Sequence, residues 1–325
     1  MASIRREELM KSPTVELYLK EAIGALLAAF VAIELSPGTE TATSTLETVA
    51  SASENSDTTG SASNQEELVQ TAAVSFEEKF HYRRPMYACL RFWYGQPAYD
   101  EQFRRLEDTA VAHIDDARPP LLLQFLSLLI NDATFLLDEA IGFLAQLKLK
   151  ERAREAEGGH FSNRDEESMF QHMSRLARYH ISLGLDNISA LRRVISLCPR
   201  LVTHPILVDR IACMLNYFLS RLVGPKSRDL TVRDKSTYGF RPDLFVEEIC
   251  RVYVNLGLGE GDSSTVVAFL RAVVSDGRSY TPDLLDQALN VLHRVSKDER
   301  FVEKFSRVTK ALQVGLFHGD HGLLI

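Results

Sequence analysis

The stretch from Leu121 to Lys150, LLLQFLSLLINDATFLLDEAIGFLAQLKLK, constrains the fold more than any other part of the chain. It is the longest and most apolar segment, and its N-terminal half is apolar nearly all round a helical wheel. A helix of that kind has no face to offer water, so it belongs at the centre of a helical assembly. Asn131 and Asp132 interrupt it, and buried polar groups there are expected to hydrogen-bond a neighbouring helix end or loop.

The rest of the chain supplies the helices to surround it. Apolar residues recur at helical spacing over about 13–35, 85–95, 98–115, 165–183, 186–197, 205–222, 242–256, 263–275, 282–296 and 299–315. Pro13, Pro85, Pro205 and Pro242 suit first turns, where a missing amide hydrogen costs nothing, and Thr203 is the expected cap of the helix holding Pro205. Strand signals are absent: no period-2 run is sustained, and Asp276-Gly277 lies between helical patterns as a helix end. The expected fold is therefore all-α, an armadillo/HEAT-like right-handed helical solenoid in which each pair buries its inner face on the next. No crisp repeat period is visible, so the repeats would be divergent.

With 325 residues and 45% apolar content the chain can bury a sizeable core. Its net charge of −7 is unevenly placed, since Glu21 to Glu78 holds ten acidic residues and no Lys or Arg. Residues 36–75 turn to Ser, Thr, Ala, Glu and Gly without apolar periodicity and read as a disordered acidic insertion. The domain reading is an N-terminal core helix over 1–35, that linker over 36–75, a helical core over 76–315 and a tail over 316–325. No clustered basic face marks a nucleic-acid partner, and the apolar run Ala22–Ile33 falls short of the ~20 residues that span a bilayer. Cys89, Cys198, Cys213 and Cys250 form no C-x-x-C pair, and no signal peptide is apparent, so a reduced interior compartment is expected. The Asn187 sequon is then irrelevant.

Each chemical motif has a plainer structural reading. His172 and His180 are two helical turns apart, about 12 Å, too far to share a metal. His318-Gly319-Asp320-His321 has no second pair of ligands, and Gly257-Leu258-Gly259-Glu260-Gly261 follows a helix and lacks the Lys-Ser/Thr of a phosphate loop. Glu157-x-x-His160 occurs once, whereas a di-iron site needs that motif twice on facing helices. No Ser-His-Asp or Cys-His set emerges, no cofactor or metal is implied, and the residues describe an interaction scaffold.

The most informative loop follows Gly224-Pro225. There Lys226, Arg228, Arg233 and Lys235 alternate with Asp229 and Asp234 around Leu230 and Val232, up to Tyr238-Gly239-Phe240. A loop carrying its own apolar anchors is expected to dock, as a clasp between helices. Lys226, Arg228, Asp229 and Arg233 are the candidate partner surface.

Five blocks carry a resemblance. They are Asn131-Asp132-Ala133-Thr134-Phe135-Leu136-Leu137-Asp138-Glu139, then Met214-Leu215-Asn216-Tyr217, Leu222-Val223-Gly224-Pro225-Lys226 with Arg228-Asp229-Leu230, Tyr238-Gly239-Phe240, and Asp276-Gly277-Arg278-Ser279-Tyr280. In this order they resemble the core region of the ubiquitin conjugation factor E4 family, over roughly residues 79–310. The resemblance implies an armadillo-like core that carries a C-terminal U-box, which recruits a ubiquitin-conjugating enzyme charged with ubiquitin. Such a ligase lengthens ubiquitin chains on substrates bound for proteasomal degradation, acting by orientation rather than with a nucleophile of its own. It also implies work in cytoplasm and nucleus, with a valosin-type AAA ATPase and ubiquitin-like shuttle proteins as further partners. No U-box pattern follows the last helix, so this chain is expected to be a core whose acting module is missing. The alternative is a non-catalytic scaffold or competitor that binds the same partners.

Overall fold

The computed structural model describes residues 13–34 and 62–317, apart from residues 157, 162, 231, 234 and 260–262. For residues 13–16, 34, 62–77 and 314–317 it describes the backbone alone. The expected acidic insertion up to residue 61, Glu157, Asp234, Glu260, Gly261 and the His318–His321 tail lie outside the described residues. Among the described residues every regular element is a helix, so the chain is all-α. It divides into two compact units, residues 1–102 with 114–125 and residues 103–113 with 126–325.

In the first unit, α1 (Pro13–Glu34) packs on α2 (Ala62–Trp93). Leu19, Ile23, Leu27 and Phe30 recur every four or three residues and are all at most 2% exposed, a single buried stripe. Phe30 meets the ring of Phe125 edge-on at 4.9 Å between centroids, and the fully buried Arg83 guanidinium lies 4.2 Å from the centroid of the Phe30 ring. Arg83 also donates to the Phe30 carbonyl at 3.4 Å, so the charge is held by a ring face and a backbone oxygen. Pro85 lies inside α2 and does not start it, which corrects the sequence reading. Proline inside a helix costs about 3 kcal/mol, and burial on both sides of it, of Phe80 before and Tyr87 and Leu90 after, offsets that cost.

Helices α3 (Pro97–Ala112), α4 (Leu121–Ala156), α5 (Arg164–Leu197) and the one-turn α6 (Pro199–Val202) follow. Next come α7 (Val208–Val223), a 3-10 turn over Pro225–Leu230, α8 (Pro242–Gly257), α9 (Ser263–Ser275), α10 (Leu284–Val295) and α11 (Glu299–Phe317). In the second unit α5 packs on α8, α7 on α9 and α10, and α8 on α10 and α11. Packing between helices near in sequence is consistent with the expected solenoid. By length and composition α4 could cross a membrane, but Leu126, Leu129, Ile130, Ala133, Leu136, Leu144 and Leu147 are at most 2% exposed, the signature of a core helix.

Two boundaries differ from the sequence reading. Where two helices are expected at 165–183 and 186–197, α5 is continuous from its Asn163 cap, which accepts from the Glu166 amide at 2.8 Å. Gly184 is there for close approach: a Cβ would sit 3.1 Å from Leu137 Cδ2 on α4. Asn187, fully buried on the same helix, donates to the Leu129 carbonyl at 3.4 Å. The helix expected from Pro205 starts at Val208, and Thr203 does not cap it. Its hydroxyl instead donates to the Pro199 carbonyl at 2.8 Å and closes α6, because a residue before proline, here His204, is pushed out of the helical region.

Buried Glu107 holds the start of α6 in place. Its carboxylate accepts from the Leu201 amide at 3.1 Å and from Arg200 at 3.3 Å. Burial nevertheless pushes its pKa above the ordinary 4.5, with those partners opposing the shift. A carboxyl raised on folding stabilises fully below its unfolded pKa and loses that contribution as pH rises through the folded value. The stability advantage of the native chain over Glu107→Gln should therefore shrink as pH rises through and above the ordinary carboxyl range, as followed in urea titrations. A gap that stays level or widens with pH would contradict the burial argument.

Candidate functional site

The docked loop is built from the end of α7. Gly224 ends that helix with its amide on the Ser220 carbonyl at 3.0 Å, and a Cβ at this position would lie 2.4 Å from that oxygen. Only glycine lets the chain leave there. The 3-10 turn follows, and Leu230, Val232, Tyr238 and Phe240 are each at most 5% exposed, so the loop is anchored by its own apolar residues. Gly239, at φ +65°, turns it into α8.

Polar contacts fix the loop to two long helices. Glu151 of α4, buried, accepts from the Tyr238 hydroxyl at 3.0 Å and the Arg233 amide at 2.8 Å. Burial, then this carboxylate, pushes the Tyr238 phenol up to about 12, so it stays a donor. Lys148 donates to the Arg228 carbonyl, and Arg178 of α5 donates twice to the Thr237 carbonyl, at 3.1 and 2.6 Å. The loop is an intramolecular clasp over α4 and α5. Of the candidate surface residues, Lys226, Arg228, Asp229 and Arg233 all point outward, and the Arg233 guanidinium lies 3.5 Å from Glu155.

A second polar cluster joins α7, α8 and the end of α9. Asn216, fully buried, donates to the Val273 carbonyl at 3.0 Å and to Asp276 Oδ2 at 3.1 Å, and accepts from the Tyr253 hydroxyl at 2.5 Å. Asp276 Oδ1 accepts from the Arg278 amide at 3.2 Å, and burial holds the Tyr253 phenol well above its ordinary range, still protonated. Tyr217 reaches back to Asp138 on α4 at 2.9 Å, and Arg210 reaches Asn131 at 2.7 Å. Asn131 is exposed and Asp132 is 2% exposed, so the burial expected of both is found for Asp132 alone. Sequence reasoning missed Glu151 and Tyr253. It had one signal for Asn216: a polar residue four positions from Ala212 on the buried face of α7.

The other motifs separate. His172 is exposed, while His180 is buried against Phe135 and Phe143 with its Nδ1 2.9 Å from the Leu176 carbonyl. Among the described residues no group of three His, Cys, Asp or Glu side chains is placed to hold a metal. Cys198 and Cys250 are buried and their thiols are pushed well up by burial, so neither supplies a thiolate.

These contacts define an all-α helical core whose polar clusters lock helices to one another. Residues 67–313 match the family described as ubiquitin elongating factor core. The chain belongs to that family. It is 40% identical over 242 residues to ubiquitin conjugation factor E4 A of Rattus norvegicus, covering 73% of this chain and 22% of that protein. The probable ubiquitin conjugation factor E4 of Arabidopsis thaliana is 31% identical over 73% of the chain and 22% of its own length. The E4 ubiquitin-protein ligase UFD2 of Saccharomyces cerevisiae is 30% identical over 70% of the chain and 22% of its own length. The chain thus spans about a fifth of the length of these curated relatives.

Proposed function

We propose that this chain is the supporting core of a ubiquitin chain-elongating ligase. One observation carries the reading: the five sequence blocks lie within the match to ubiquitin elongating factor core, and their residues make the Asn216–Asp276 and Tyr217–Asp138 bonds and supply Leu230, Tyr238 and Phe240 to the clasp. The core fixes the position of a U-box, which presents the charged conjugating enzyme to a lysine of a ubiquitin already on the substrate. Its contribution is orientation, the entropic part of the barrier. Ubiquitin and a ubiquitin-conjugating enzyme are the principal partners, with a valosin-type AAA ATPase and ubiquitin-like shuttle proteins as further ones.

The test is a chain-extension reaction on a ubiquitin-fused substrate, followed on gels. The chain by itself should extend nothing, and the chain joined at its C-terminus to the U-box of a relative should extend more than that U-box alone. Equal extension by the isolated U-box would remove the supporting role. Extension by the chain alone would place the activity in the core. Suppression of a full-length relative by the added chain would favour the competitor reading.

A further inference from the structure

The clasp and the last turns of α4 enclose an open groove of about 430 Å³ lined by Lys148, Glu151, Arg152, Glu155, Arg228 and Arg233. Its two carboxylates are engaged, Glu151 by Tyr238 and the Arg233 amide, and Glu155 by the Arg233 guanidinium. Arg152 and Arg228 are exposed, and neither makes an ion pair with any described residue. Leu149, one helical turn before Arg152 on α4, is 65% exposed. The backbone under Arg228 is fixed by the Lys148 bond to its carbonyl, and Arg152 stands on the long helix α4, so both guanidinium forks project from ordered backbone.

We propose that this groove binds an acidic peptide segment of a partner protein, with Arg152 and Arg228 taking its carboxylates and Leu149, at the groove's edge next to Arg152, taking an apolar side chain. Charge complementarity argues for the occupant: four cations face two carboxylates that are already satisfied. The volume suits several residues of an extended segment rather than one ion, and the adjoining leucine suits a peptide rather than a phosphate. Nucleic acid is disfavoured by the chain's net charge of −7. The proposal does not depend on the ubiquitin-elongating role, and its test involves no ubiquitin.

The probe is a fluorescein-labelled peptide of about ten residues alternating Glu and Leu, titrated with the full chain and followed by anisotropy. Binding is expected at about 50 mM salt and should weaken strongly at about 500 mM. The double variant R152E/R228E should weaken it about tenfold, while K297E, far along the sequence at another exposed lysine, leaves it unchanged. Leu149→Ser should weaken it too, which a simple anion site would not show. Thermal melts of the double variant should match the native chain, since both arginines are exposed. Unchanged affinity in R152E/R228E, equal binding of a Lys-Leu peptide, or full displacement by inorganic phosphate would each overturn the proposal. So would a self-association lost in R152E/R228E, which would make the occupant a second copy.

Discussion

Replacing Asn216 by alanine should lower the stability of the second unit by roughly 3 kcal/mol, a fall of roughly 6–12 °C in its melting temperature. The side chain is fully buried and makes three hydrogen bonds, two as donor and one as acceptor. Alanine removes them and leaves three partners behind: the Val273 carbonyl, Asp276 Oδ2 and the Tyr253 hydroxyl. Each orphaned buried group costs about 1–3 kcal/mol, more where the group is charged. Water entering the vacated volume recovers part of this, which keeps the expected loss below the sum. Tyr253→Phe removes a single donor and should cost less, about 1 kcal/mol. In the double variant the two losses should fall short of additive, because both side chains belong to one bond. Differential scanning calorimetry with urea titration decides it, and an Asn216→Ala loss under about 1 kcal/mol would show that apolar packing alone holds α7, α8 and α9.

The same residue marks how far sequence reaches. The helical class was legible because apolar spacing repeats through α4, α7, α8 and α9, and the clasp was legible because Leu230, Val232, Tyr238 and Phe240 interrupt a charged loop. Their physical cause is local: the residues that bury lie close in sequence to the residues that turn the chain. Glu151 was not legible as the clasp's anchor, since it sits in a run of charged residues and its partners Arg233 and Tyr238 lie more than eighty positions away. Pro85 and Thr203 misled for a related reason. Each carries a strong local preference, to start or to cap a helix, and tertiary burial or a nearer proline decides otherwise. The candidate partner surface at Lys226, Arg228, Asp229 and Arg233 is exposed, but exposure alone names no partner.

Trypsin should cut the clasp of Glu151→Ala on the order of thirtyfold faster than that of the native chain, at Lys226, Arg228, Arg233 or Lys235. All four sites are exposed in the folded chain, but a protease needs a length of extended backbone, and the clasp must lift to provide it. Lifting breaks both bonds to Glu151 and bares Leu230 and Val232. Alanine at 151 removes both bonds in advance and leaves the Tyr238 hydroxyl and the Arg233 amide without their acceptor. A local loss of about 2 kcal/mol raises the open population by roughly thirtyfold, and cleavage follows that population while closing outpaces cutting. Glu151→Gln keeps one carbonyl acceptor and should lie between the two. The melting temperature is the second readout: a clasp that opens locally speeds cleavage far more than it lowers the global transition. Equal cleavage of Glu151→Ala and the native chain would mean that the apolar anchors hold the loop unaided, and Leu230→Ala would then become the variant that frees it.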